Sequence, residues 1–557
     1  MDSNAPAAME KRQQHDTEAE QNKEVAHDAP PRSMSLLKSI LLTTCCTLSM
    51  CAISMTNGAV SISLPAAGRD LDIPEDQLQW LLSSYALSSG CLLILFGRLA
   101  DLYGRRNIFV LGCLIHGAFS LGSGFANDLI TISVLRGIQG VGAAATVPAC
   151  LGILAHAFPP GHARSIAFAT FSAGQPFGGA VGFLLGGALT EEVATSWRTM
   201  YWLIAGISAL CIVLAYLYVE RDGPSTETDR RVDWIGAALV TSGLVLIVFV
   251  FSDGEIAPQQ WRTPYIIALL VVGVALIALF LLWQWHLERP EVRESFSMWA
   301  PPPLMKLSLW KRGRGKFAAI QAVVFTLFAG FQCWLLWIVL YYQNYQGYNP
   351  VQTMIRMIPM CPSGVICNVI IALIVTRVDG VFIITFGCCC TAAAGLLLAL
   401  IDTSAPYWAY GFPSSVIVVV GTDFVFAGGT LFVAKLALPH EQSLAGGLYQ
   451  TMSMLGQAFG MSISTIAFDR VRTSESSKLG VTIDKLGLNA PREAQLKAYR
   501  ATSWTVVGFA LFAAVLSAIF LRGVGVLSSK HANEHTEETT REKSGRESGT
   551  DTIQTAA

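Results

Sequence analysis

The chain has 557 residues, of which 52% are hydrophobic and only 14% charged, with a mean hydropathy of +0.48; an ordinary soluble protein carries roughly 25% charged residues. Of its 38 Lys and Arg and 39 Asp and Glu, eleven sit in residues 1–33 and ten in 526–557, so the middle lacks the polar surface a water-surrounded globule needs. Net charge is −1 with no basic cluster, which excludes the electrostatic footprint of a nucleic-acid partner.

Residues 1–33 read as a disordered cytoplasmic tail, too long and too acidic for a signal-peptide n-region, so the first apolar run is expected to act as a signal anchor. A membrane-crossing helix needs about 20 residues free of uncompensated charge. Fourteen windows qualify: 39–68, 77–97, 107–127, 129–163 (interrupted by Arg136), 165–190, 199–219, 234–252, 263–287, 317–355, 357–376, 380–401, 403–434 (interrupted by Asp423), 442–468 and 501–521. The long window 317–355 is one helix ending near Gln343, because Asn344, Gly347, Asn349 and Pro350 read as a loop. The expected class is an all-α polytopic membrane protein. All thirteen cysteines lie in apolar stretches without metal-ligand spacing and read as small buried side chains.

Lys and Arg in the short loops set orientation. With a cytoplasmic N-terminus, the inside loops hold Arg98, Arg105, Arg106, Arg164, Arg221, Arg230, Arg231, the basic residues of 289–316, Arg377, Lys435 and Arg522, and both ends are cytoplasmic. The basic segment 469–500 is the exception and is read as a long outside loop.

The string Gly174-Gln175-Pro176-Phe177-Gly178 in the fifth window returns as Gly456-Gln457-Ala458-Phe459-Gly460 in the thirteenth, each after a charged turn containing proline (Pro159-Pro160, Pro439). A duplicated six-helix unit with two helices between the copies explains this, and transporters are commonly built from such repeats. The domain plan is therefore a tail 1–33, an N-terminal six-helix bundle 34–220, two inserted helices 221–287, a cytoplasmic linker 288–316, a C-terminal six-helix bundle 317–525 and a disordered tail 526–557. The linker, with Trp299, Pro301 to Pro303 and Trp310, reads as an amphipathic strap on the membrane or as a plain connection.

Gly174, Gly178, Gly182 and Gly186 recur every four residues and form a bare stripe on one helix face, with Pro176 in their midst. Two readings stand: static helix packing, or a sliding face between the two halves. The turn after the second window reads Gly97-Arg98-Leu99-Ala100-Asp101-Leu102-Tyr103-Gly104-Arg105-Arg106, where the glycines permit a tight turn and Asp101 can cap a helix or pair with the arginines.

That turn resembles the signature loop of the major facilitator superfamily at every defining position, and through it Gly97, Asp101, Gly104, Arg105 and Arg106 are expected to act as a conformational switch. Trp80 and Tyr85 resemble the entry pattern of drug:proton antiporters, and Arg136 to Gly142 resembles the fourth-helix motif whose arginine the family implicates in proton coupling. The glycine stripe resembles the exporter motif but departs from it: Gln175 separates Gly174 from Pro176, and Phe177 alone precedes Gly178-Gly179. Fourteen helices in a 6+2+6 arrangement resemble the DHA2 branch, and the whole membrane region resembles its fungal aminotriazole-resistance, boron-efflux and low-affinity ammonium type. The string Val219 to Pro224 lacks the pattern of sugar uptake carriers.

Ionisable groups in a bilayer normally face an aqueous cavity or a partner. Arg136 and Asp423 interrupt the fourth and twelfth windows, equivalent members of the repeat, at what read as equivalent places. Desolvation favours a neutral carboxyl and a nearby arginine favours a charged one, so the pair is a candidate proton-coupling site, with structural links to polar neighbours as the alternative. Asn57, Gln139, Gln175, Trp334, Trp337 and Gln457 are candidate cavity residues, with Phe331, Gln332, Asn368 and Gln450 beside them; the aromatic face 331, 334 and 337 equally suits packed core. His116 and His156 read as satisfied core or interfacial residues.

The expected activity is proton-coupled export of small molecules by alternating access, from a multi-pass position in the plasma or vacuolar membrane. Its rivals are a facilitator of a small solute such as ammonium or borate, and a transceptor signalling through its tails. An enzyme is not expected, for the sequence has no nucleophile, paired-carboxylate or His-cluster motif. No cofactor or metal is expected, the proton gradient supplying energy. The expected partners are a small-molecule substrate and the lipid bilayer around a monomer.

Overall fold

The computed structural model of the chain describes residues 35–158, 162–221, 231–254, 257, 259–289, 301–375, 377–438, 442–483, 489–523 and 525. Both tails, Pro159-Pro160, Pro439, the Asp222–Pro224 string and residues 290–300 of the linker with Trp299 lie outside the described residues.

Every long element among the described residues is helical, and fourteen passes follow the charge-free windows. They are α1 (Leu36–Asp70), α2 (Trp80–Tyr103), α3 (Arg105–Ser123), α4 (Leu129–Ala157), α5 (His162–Glu192), α6 (Arg198–Tyr218), α7 (Trp234–Asp253), α8 (Pro264–Leu287), α9 (Lys316–Leu340), α10 (Pro350–Met357 and Met360–Ile374), α11 (Gly380–Ala399), α12 (Tyr407–Leu436), α13 (Gln442–Lys478) and α14 (Arg492–Phe520). Eleven of the described helices are long and apolar enough to cross a bilayer by themselves. The other three passes are α3, α5 and α13.

Two expected boundaries move. α9 ends in a π-turn, Tyr341–Tyr345, and α10 begins at Pro350, earlier than the window 357–376. The reason is local: Gly347 takes φ +74°, and Asn349 and Gln352 form a reciprocal capping box around Pro350 at the first helical position. Pro359 then breaks α10, because it has no N–H to donate. At the other end, α13 runs to Lys478 and α14 starts at Arg492, so much of the expected loop 469–500 is helix rising beyond the apolar windows.

Packing repeats with an interval of eight helices. α1 lies on α5, α2 on α4, and α3 on α4 and α6; α9 lies on α13, α10 on α12, and α11 on α12 and α14. The two bundles meet along α2 and α13, and again where α5 meets α10. Exchanging the repeats converts one contact into the other. The inserted α7 and α8 pack on each other, with α7 against both α2 and α13.

A buried carboxylate anchors this inserted pair. Asp233 caps α7 through the Gly236 N–H (2.7 Å) and accepts from Trp283 Nε1 (2.8 Å) and Gln284 Nε2 (2.6 Å) on α8. Gln284 Oε1 in turn accepts the Met305 N–H (3.0 Å), and Leu304, Met305 and Leu309 are buried in the core cluster that also contains α9 residues. The described part of the linker is therefore docked between the inserted pair and the second bundle. Removing the acceptor strands three donors, two of them buried. We expect Asp233→Ala to destabilise the protein by on the order of 2 kcal/mol and Asp233→Asn by less, read as the thermal midpoint of purified protein in detergent; equal midpoints for Asp233→Ala and wild type would refute the anchor.

Candidate functional site

The glycine stripe of α5 meets α1 inside the first bundle. A Cβ at Gly174 would stand 2.9 Å from the Thr47 carbonyl oxygen, at Gly178 and Gly182 it would strike the backbone of Cys51 and Met55, and at Gly186 it would stand 2.7 Å from Ala59 Cα. The expectation of a sliding face between the halves is corrected on this point: a stripe shows that something approaches closely, not which helix does. The second copy behaves identically, since Gly456 and Gly460 of α13 meet Phe325 and Ala329 of α9. Thr47 and Cys51 are four residues apart, as are Phe325 and Ala329, so the duplicated string makes the same contact in the same register. Pro176 lies within the continuous α5 between Gly174 and Gly178, and Gly187, one position off the stripe, touches the other bundle at Pro350 and Met354.

At the α2–α3 turn Gly104 takes φ +94°, a conformation that L side chains rarely adopt. Arg105 pairs with Asp101 one turn back (3.4 Å), and its side chain occupies space left by Gly152 on α4. Arg106 donates to the Tyr216 carbonyl (3.1 Å) and lies over the Tyr216 ring on α6. Gly97 stands 3.7 Å from the Pro148 side chain when given a Cβ. This turn thus clasps α2, α3, α4 and α6.

Arg136 is fully buried in the first bundle. Its Nε donates to the Leu81 carbonyl of α2 (2.8 Å), its Nη1 to Gln139 Oε1 (2.9 Å), and its guanidinium lies 4.5 Å over the Tyr85 ring. Tyr85 meets His116 edge-on at 6.4 Å; His116 bonds Ser208 (3.1 Å) and Thr56 (3.5 Å), a satisfied core histidine, whereas His156 is exposed near the end of α4. Among the described residues, Arg136 Nη2, Gln139 Nε2 and the Tyr85 hydroxyl make no hydrogen bond.

Asp423 lies in the second bundle, half-buried, accepting from Asn368 Nδ2 of α10 (3.3 Å) beside the bare Gly364. It is not placed as the counterpart of Arg136. Arg136 is about two turns into α4, whereas Asp423 is more than four turns into α12, so the two charges stand at different depths. Each charge has partners within its own bundle.

Trp334 and Trp337, expected as cavity residues, are buried inside the second bundle, where both line a small void with Tyr341 and Tyr499. Trp334 Nε1 donates to Ser414 on α12 (2.8 Å), and Trp337 Nε1 donates to Ser464 on α13 (2.8 Å) with its ring stacked 4.3 Å from Phe468. Burying an indole requires a partner for its N–H, and both have one. Gln139 is held by Arg136, while Asn57, Gln175 and Gln457 are half-buried on α1, α5 and α13, with Gln457 beside Met454. Gln332 is buried, and Phe331 and Gln450 are half-buried.

The sequence reading passed over a polar seam on the face that carries the α1–α2 turn. Glu75 of that turn accepts from the Tyr499 hydroxyl of α14 (2.6 Å) and from Asn344 at the end of α9 (3.0 Å), with Arg472 of α13 at 3.7 Å. Gln343 donates to the Ile62 carbonyl (2.7 Å), and Asn349 to Glu191 (3.3 Å). All five contacts join one bundle to the other. Their sequence signal is a Glu75-Asp76 pair in a short turn and a basic segment at 469–500, which only the fold brings face to face.

A family model for the Major Facilitator Superfamily matches residues 46–254 and 232–461. The chain belongs to the Major Facilitator Superfamily. It is a multi-pass membrane transporter and not an enzyme. It is 26% identical to a low affinity ammonium transporter of Saccharomyces cerevisiae over 72% of this chain and 76% of that one, and 24% identical to the efflux pump terG of Aspergillus terreus over 80% and 79%. Its fold is similar to that of a bacterial homolog of the human lysosomal transporter Spinster, with a TM-score of 0.61 at 15% identity, covering 88% of this chain and 99% of that chain.

For a superfamily member whose α1–α5 seam is a rigid contact, a side chain on the stripe should cost folding before it costs transport. Overpacking of this kind costs about 1–3 kcal/mol. Gly182→Val is expected to lower the thermal midpoint and yield of folded protein, and Gly179→Ala, with nothing within 4 Å, to leave both unchanged. A Gly182→Val protein of normal midpoint but altered transport would instead restore the sliding face.

Proposed function

We propose that this transporter exports small organic molecules from the cytoplasm in exchange for protons, by rocking α1–α6 against α9–α14, with Asp423 as the group that binds and releases the coupled proton. The observation that carries this is the placement of Asp423: a half-buried carboxylate deep in α12, with Asn368, a neutral amide, as its partner. A carboxyl held by an amide can exist in either protonation state without breaking an ion pair. Arg136, packed on Tyr85 and the Leu81 carbonyl, is the fixed charge of the opposite bundle, and its spare Nη2, with Gln139 Nε2, suits an anionic or carbonyl-bearing group.

The lysine and arginine distribution orients the α2–α3 turn to the cytoplasm and the α1–α2 turn to the exterior. Five contacts then close the external side. The plasma membrane is the proposed site of action, with both termini cytoplasmic. The similarity to an Aspergillus efflux pump supports export. The yeast relative's name supports a second reading, facilitated passage of a small solute such as ammonium.

Proteoliposomes separate the two. With one proton exchanged per substrate, a gradient of one pH unit sustains at most about a tenfold concentration ratio, since a factor of ten costs about 1.4 kcal/mol. Wild type loaded with a substrate found by screening a deletion strain against toxic compounds is expected to approach that ratio. Asp423→Asn is expected to bring the ratio to unity while still exchanging substrate across the membrane. Concentrative transport by Asp423→Asn that still followed the proton gradient would remove Asp423 from the coupling role, and downhill flux alone in wild type would favour the facilitator.

A further inference from the structure

The seam on the α1–α2 face contains more acid than base. Glu75, Asp76 and Asp469 surround the single guanidinium of Arg472, which lies 2.8 Å from Asp469 and 3.7 Å from Glu75. Arg472 is itself nearly buried, with 8% of its side chain exposed, and Glu75 retains 17%. The other groups facing this cluster are neutral or engaged elsewhere. Tyr499 of α14 donates to Glu75, and Tyr341 and Tyr345 of α9 stack on each other and meet Tyr499 edge-on. Arg492 and Arg500 of α14 donate to the carbonyls of Tyr345 and Ile401. Asp76 Oδ1 is buried with no hydrogen-bond partner among the described residues. A carboxylate oxygen shut away without a donor is costly when charged and much less so when the group is protonated.

We propose that Glu75 and Asp76 form an external latch: Glu75 joins the bundles through Tyr499, Asn344 and Arg472, while Asp76, with an oxygen shut away from any donor, must take up a proton for the seam to close fully. The latch is a positioning device, acting on which side of the membrane the transport site faces, and Asp76 does not carry the exchanged proton. Burial, helped by the adjacent Glu75, pushes the Asp76 carboxyl above its ordinary range, against the opposing pull of Arg472 and of the Asp76 and Gln77 backbone N–H groups. The sign follows by linkage. A carboxyl that holds its proton more tightly in the closed seam than in an open, solvated turn stabilises the closed state at low pH, and that contribution fades as pH rises through the raised value. An acidic exterior therefore tightens the latch and favours the inward-facing state. The proposal rests on the export reading for which face meets the exterior, and the closure itself is measured without transport.

The test is hydrogen–deuterium exchange of the full chain in lipid nanodiscs, followed in residues 71–79 and 341–349 and corrected for intrinsic exchange at each pH. Wild type is expected to be protected roughly three- to tenfold more strongly at pH 5.5 than at pH 7.5. Asp76→Asn, neutral at both values, should hold the stronger protection at both. Tyr499→Phe, which removes a donor to Glu75 without changing any charge near neutral pH, should reduce protection at both while keeping the pH response. Protection that weakens on acidification in wild type, or a pH response surviving in Asp76→Asn, overturns the latch. Loss of concentrative export in Asp423→Asn with this pattern unchanged keeps the two proposals separate.

Discussion

Hydrocarbon offers a backbone amide no hydrogen-bond partner and gives two apolar helices no solvent-driven reason to associate. Helices in it cohere by how closely they approach, and the closest approaches described above are those of α5 to α1 and α13 to α9, at glycines whose missing side chains admit a neighbour's backbone. These two seams tie the first and fifth helices of each six-helix unit together. The remaining passes of each bundle are arranged around that pair. The buried tryptophans of α9 follow from the same geometry: with α13 close, Trp337 reaches Ser464, and Trp334 finds Ser414 on α12.

Number, order and most boundaries of the helices were legible because a span excludes charge, and charge is easy to see. Where the reading slipped, a charge or polar residue had a local solution the window could not register. Arg356 ended a window, yet it belongs to α10, its guanidinium lying 3.7 Å over the Tyr348 ring while Asn349 caps the helix six residues before Ile355. The extensions of α13 and α14 were invisible for the opposite reason: they are polar helices held by ion pairs such as Lys478 and Lys497 with Glu475, and hydropathy carries no signal for them.

Site residues were legible as types and not as pairs. Arg136 and Asp423 announce themselves by cost, but a one-dimensional pattern cannot give depth, and the nine additional residues between helix start and charge in α12 separate them by more than two turns. The glycine stripe likewise declared a close neighbour without naming it. The motif at the α2–α3 turn was legible in full because its requirements are local, a positive φ at Gly104 and an aspartate one turn before an arginine.

Contacts inside each bundle and contacts across the α1–α2 face also differ in kind, and this difference lets that face open without disturbing either bundle. Inside each bundle the glycine seams press backbone against backbone, with no side chain that could rotate to release them, so separation would open a void that lipid or water must fill at full cost. Across the α1–α2 face the bundles are joined by side chains with several rotatable bonds, Glu75, Gln343, Asn344, Asn349 and Arg472, whose hydrogen bonds can be exchanged for water with a net change of only about 1 kcal/mol each. A seam of that composition can open and reclose while each glycine-packed bundle moves as one body.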